Sequence, residues 1–124
     1  MARLLYSTVG SNQLDQAKAF YDSLLASVGI LPLHEHPSGG RLYGNDGKVC
    51  FGVLGPFNKA PETAGNGSMN AFHLNSRDEV DAFHAKALEL GGTDEGAPGE
   101  RGPTLYMSYF RDPDGNKLCG CYFK

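Results

Sequence analysis

The side chains best suited to bind a metal or move a proton are the three cysteines and four histidines of this 124-residue chain. Cys119 and Cys121 stand two apart in a run of strand character, Leu118 to Phe123, and strand alternation puts both on one face. His73 lies in a similar run, Met69 to Leu74, on the same face as Met69 and Ala71. Thiolate and imidazole are donors a soft ion accepts, so His73, Cys119 and Cys121 are one conceivable ligand set. The plainer alternative makes the cysteines small core residues and His73 a histidine hydrogen-bonded inside a pocket. His34 and His36 flank Glu35 ahead of Pro37-Ser38-Gly39-Gly40 and read as rim positions, while His84 reads as a packing or surface residue of a helix. With Cys50 the cysteines are odd in number and contain no CxxC pair, so neither a disulfide framework nor a zinc ribbon fits. Gly39-Gly40 and Gly91-Gly92 lack the surroundings of a phosphate loop.

Two amphipathic helices must help position these residues. Leu14, Ala17, Tyr21, Leu24, Leu25 and Val28 recur at helical spacing, with Asn12 and Asp15 at the start and Gly29 past the end. Val80, Phe83, Ala87 and Leu90 form a second stripe, opened by a Ser76 to Glu79 capping box and closed by Gly91-Gly92. Strand-like runs surround them: Leu4 to Gly10, Gly40 to Tyr43, Val49 to Leu54, Met69 to Leu74, Tyr106 to Phe110 and Leu118 to Phe123. One further strand per copy is expected, in the first copy around Leu31 to His34. Asp46-Gly47 and Asp114-Gly115 mark hairpin turns. Ala19-Phe20-Tyr21 repeats as Ala82-Phe83-His84, and Gly29 as Gly92, at one constant offset, which identifies a duplicated unit. The expected division is a single domain over residues 1–124, with a first module of about 1–55, a linker of 56–68 and a second module of 69–124.

A net charge of −3 with 40% hydrophobic and 20% charged residues offers no footprint for a nucleic acid. No apolar run approaches the roughly 20 residues that cross a bilayer, and Met1 to Gly10 lacks the plan of a secretory leader. A cytoplasmic protein with no membrane partner is expected, its thiols kept reduced.

Four words stand out along the chain: Lys18-Ala19-Phe20-Tyr21-Asp22, Val80-Asp81-Ala82-Phe83-His84, Gly96-Ala97-Pro98-Gly99 and Phe110-Arg111-Asp112-Pro113-Asp114-Gly115-Asn116. Through them essentially the whole chain resembles the vicinal oxygen chelate superfamily, the glyoxalase, bleomycin-resistance and extradiol dioxygenase group. The resemblance implies an α+β fold of two βαβββ modules whose curved sheets line an open cavity. Relatives often hold a divalent metal there as a Lewis acid, with ligands from the first and last strands of each module. The resemblance puts Tyr6, Met69 and Cys119 at three of these positions, and the remaining strand, Val49 to Leu54, contains no His, Asp or Glu. A phenol, a thioether and a thiol suit a hard divalent ion poorly, so a dismantled metal site and no cofactor are expected.

In such a cavity Tyr6, Thr8, Met69, Tyr106, Cys119 and Cys121 would contact a small molecule, and His73 is the candidate general base. Three functions compete. One is a glyoxalase-like lyase or isomerase, metal-dependent through a shifted ligand set or using hydrogen bonds from Tyr6 and His73. The second is a small-molecule binder, and the third an interaction domain with a filled cavity. The resemblance also implies a homodimer.

Overall fold

Both helices form where the apolar stripes predict, and their ends show which local signals survive folding. The computed structural model describes residues 1–123. Helix α2(Arg77–Glu89) opens with Ser76 Oγ accepting from the Glu79 amide at 3.0 Å, while Glu79 Oε1 accepts from the amide of Asn75 at 3.0 Å. Helix α1(Leu14–Ala26) has no side-chain cap, because Asn12 is drawn elsewhere: its Oδ1 accepts from the Glu62 amide at 2.6 Å. Each helix ends on a glycine of positive φ, Gly29 at 81° and Gly91 at 105°. Six-residue turns follow, from Ile30 N to Leu25 O and from Gly92 N to Ala87 O. The structural counterpart of Gly29 is therefore Gly91, one residue before the Gly92 that the repeat suggests, because the closing turn begins one residue further past Phe20, at Leu25, than past Phe83, at Ala87.

Eight strands complete two equivalent modules. The first holds β1(Ser7–Gly10), β2(Leu31–Glu35), β3(Arg41–Asn45) and β4(Lys48–Leu54), in the sheet order β1-β4-β3-β2. The second holds β5(Asn70–His73), β6(Thr93–Glu100), β7(Leu105–Arg111) and β8(Lys117–Phe123), in the order β5-β8-β7-β6. In each sheet the first and last strands pair in parallel and the others antiparallel, giving the expected βαβββ plan twice. Strand β6 has no alternation in its sequence. It tolerates Gly96, Pro98 and Gly99 because it is an edge strand with two irregularities in its pairing to β7.

The modules meet through side chains rather than a shared ladder. The Phe51 and Phe72 rings stand 5.5 Å apart, Ser7 Oγ donates to Asn70 Oδ1, and Asn116 Nδ2 donates to Gly10 O at 2.9 Å. Buried residues of both helices and both sheets form one apolar cluster that includes Tyr21, Leu24, Tyr43, Phe51, Phe83 and Phe110. Among the described residues no helix is long and apolar enough to cross a membrane.

Candidate functional site

Strand alternation gives each sheet a face covered by its helix and a face left open. A methyl group on Gly120 would lie 3.0 Å from Phe83 Cδ2 and 3.3 Å from Leu74 Cδ1, so Gly120 faces α2. Cys119 and Cys121 therefore point to the open face. Cys119 lies between Ala71 and Tyr109 in the ladder, and Cys121 between His73 and Met107. Arg111 and Lys117 pair at the far end of the same face.

His73, Cys119 and Cys121 are thus brought to one surface. The His73 ring is exposed and stacked on Phe123 at 4.6 Å and 20°. Cys119 is fully buried, and burial above all, with Cys121 beside it, pushes its thiol up to about 11. Its Sγ donates to Gly120 O at 3.5 Å, so it is a neutral thiol under ordinary conditions. Burial also raises the Cys121 and Cys50 thiols.

Tyr106 lies apart from this group, on the helix-covered face. Its hydroxyl donates to Asp81 Oδ1 on α2 at 2.7 Å, and the Arg77 guanidinium sits 5.6 Å from its ring centroid. Met107 and Tyr109 occupy the open face instead. The run from Leu105 to Phe110 has large side chains of both parities, so periodicity alone could not say which face it turns to solvent.

Tyr6 and Met69 are exposed just ahead of the hydrogen-bonded Ser7 and Asn70, and Thr8 is exposed on the open face of the first sheet. A hollow of about 490 Å³ between the modules is lined by Leu4, Cys50, Met69 and His73, among others. A larger one, about 1080 Å³, runs past Thr8, His36, Leu54, Phe57 and Glu62 beneath the linker. Met69 and His73 share the first hollow, Thr8 lines the second, and Tyr6, Cys119 and Cys121 line neither. His34 is exposed, and the His36 ring accepts from the Ser38 amide at 3.1 Å, as rim residues should. His84 is buried, its Nε2 3.1 Å from Asp94 Oδ1.

Glu62, unmarked by any sequence signal, is the unsatisfied group of the larger hollow. Both its carboxylate oxygens are buried without a donor, and its chain lies against Gly10, where a Cβ would find no room. Burial first, then Asp114 and Asp112, raise its pKa. A carboxyl group with a raised folded pKa stabilises the fold below its unfolded value, about 4.3, and loses that contribution as pH rises through the folded value. Glu62→Gln is therefore expected to be more stable than the parent at pH 7 by about 1 kcal/mol. The difference should vanish near pH 4, and urea denaturation at the two pH values reads both.

Register supplies the fourth position of the implied metal site. Thr8 pairs with Gly52 as Ala71 pairs with Cys119, so Gly52 is the first-module equivalent of Cys119. A Cβ there would stand 2.6 Å from Leu42 Cδ2. The four positions present a phenol, a thioether, a buried thiol and a hydrogen, a set that does not fit a hard divalent ion. Among the described residues no three His, Cys, Asp or Glu side chains gather where they could hold a metal.

Two duplicated modules with open sheet faces match a known class. The Glyoxalase/Bleomycin resistance protein/Dioxygenase superfamily matches residues 3–119, and the chain belongs to it. A glyoxalase/bleomycin resistance protein from Albidiferax ferrireducens T118 is 41% identical over 97% of this chain and 98% of its own, with a TM-score of 0.88. A family enzyme from Burkholderia phytofirmans PsJN shares the fold at 22% identity, over 99% of this chain and 100% of its own, with a TM-score of 0.78. Lactoylglutathione lyase from Agrobacterium tumefaciens does so at 18%, over 100% and 99% respectively, with a TM-score of 0.70. Among curated proteins no match is found.

Proposed function

We propose that this protein binds a small molecule on the open faces of its sheets, through hydrogen bonds and apolar contact and without a coordinated divalent metal. The observation that carries this reading is the donor set at Tyr6, Met69, Cys119 and Gly52. Tyr6, Thr8, Met69 and Cys121 are the proposed contacts, with the fully buried Cys119 in the layer beneath them, and His73, exposed with its ring face held by Phe123, is the group able to take a proton from a bound substrate. A ligand set of His73, Cys119 and Cys121 is disfavoured by geometry, since among the described residues no three such side chains gather where they could hold an ion.

Purified protein is expected to contain no stoichiometric magnesium, manganese, nickel or zinc, and its melting temperature should not respond to a chelator. A metabolite or drug that binds the folded state at a hundred times its Kd should add about 2.7 kcal/mol of stability, read as a rise in melting temperature. A tightly held octahedral ion would overturn the reading.

The same reading makes the protein a cytoplasmic homodimer. Three unpaired thiols suit a reducing compartment. Leu4 (82% exposed) and Leu5 (59%), just ahead of β1, leave apolar surface for a second copy to cover. Light scattering should give twice 13.3 kDa, and a monomer at high concentration would remove the dimer.

A further inference from the structure

The charges on the open face of the second sheet run opposite to those of a cation site. Where the family resemblance leads one to expect a carboxylate, Cys119 stands, and three basic side chains lie around it. Arg111 donates to Glu95 Oε1 at 2.8 Å and is neutralised there. Arg101 and Lys117 have no carboxylate within 4.0 Å among the described residues. Both nevertheless converge on one ring: the Arg101 guanidinium lies 5.6 Å and Lys117 Nζ 5.2 Å from the centroid of Tyr109, the ladder partner of Cys119.

Arg101 is held in place before any ligand arrives. Its Nη2 donates to Ala97 O at 2.9 Å and its Nη1 to Glu100 O at 3.3 Å, which leaves most of the guanidinium's N–H groups available. Both cations lie against one half-buried phenol ring with no carboxylate to neutralise them, and an oxyanion bound there would supply the charge-assisted hydrogen bonds they lack. Both also act on the buried Cys119 thiol, drawing it down against the larger effect of burial, so their field reaches the floor of the site. Next to them Met107 and Cys121 provide apolar surface.

We infer that this face binds the oxyanion of a small carboxylate or phosphate ester, with Arg101 and Lys117 gripping the charge and Tyr109, Met107 and Cys121 receiving the apolar body. The inference rests on the proposal of metal-free small-molecule binding and names the ligand class for the second sheet. The two basic side chains take the part that a metal ion plays in relatives, holding ligand oxygens without coordination chemistry.

Full-length protein with ¹³C-methyl methionine tests it by titration with benzoate, phenyl phosphate and neutral benzamide. The Met107 methyl signal is expected to move with the two anions, and affinity to fall as sodium chloride is raised. The tighter of the two anions identifies carboxylate or phosphate as the source. The double variant Arg101→Gln, Lys117→Gln should lose about tenfold or more in affinity for the anions while melting within a few degrees of the parent. If benzamide moves Met107 as tightly as benzoate does, and the double variant binds it unchanged, the charge assignment is overturned while small-molecule binding on this face stands. If no probe moves Met107, the assignment is overturned, and metal-free binding is decided separately by the metal content and melting responses above.

Discussion

Asp112→Ala is expected to destabilise the protein by about 3 kcal/mol, with the loss read from urea denaturation at pH 7. Asp112 is only 3% exposed, yet it organises four donors. Its Oδ2 accepts from the Tyr21 hydroxyl at 2.5 Å and from Asn116 Nδ2 at 2.9 Å, and its Oδ1 accepts from the Asp114 and Asn116 amides, each at 2.9 Å. Burial raises the Asp112 pKa even though the hydrogen bonds from Tyr21 and Asn116 pull it down. Burial, with Asp112 alongside, raises Tyr21 well above the ordinary phenol value, so Tyr21 acts as a neutral donor. Removing the carboxylate leaves these donors in a dry interior with no acceptor, the costly form of a lost hydrogen bond. Tyr21→Phe, which removes one bond and leaves the others, should cost about 1–2 kcal/mol. An Asp112→Ala cost under 1 kcal/mol would show that the network is not closed as described. The same turn fastens the two modules, since Asp114 Oδ1 accepts from the Asn12 amide at 3.0 Å and Asn116 reaches Gly10 O.

Phe83→Ala is expected to cost about 4 kcal/mol, a large part of the 5–15 kcal/mol that holds a domain of this size together. Phe83 is 1% exposed, with Phe72 at 5.8 Å and Phe110 at 5.5 Å between centroids, and it packs on the bare backbone of Gly120. Its removal opens a cavity that nothing nearby can fill, because Gly120 has no side chain and the two rings are held by their own strands. The denaturation midpoint should fall without a change in slope, and a loss below about 2 kcal/mol would mean that the interior collapses around the gap. Phe83→Leu, which keeps most of the volume, should lose far less.

The two helices, the duplicated unit and most strand positions were legible because each depends on local patterns that tertiary contacts reinforce. The stripe through Tyr21 and Leu24, the Ser76 cap and the Asp-Gly turns all read alike in sequence and in structure. Strand β6 was not placed from the sequence, which called for a further strand in the second copy without locating it, since an edge strand with irregular pairing needs no alternation. Asn12 reads as a helix start but binds the linker at Glu62, because a partner distant in sequence outcompeted the local amide.

Of the candidate site, sequence by itself determined the residue types at Tyr6, Met69 and Cys119, the positions that the family resemblance compares with metal ligands. Only the tertiary structure decided what stands around these positions. It set Gly52 opposite Thr8, turned Tyr106 toward α2 and Tyr109 outward, and brought Arg101 and Lys117 over one ring. The physical reason is that ladder register and face are long-range properties: a strand's side chains alternate whatever their type, and only its pairing partners and the helix packed on it select the face that meets solvent.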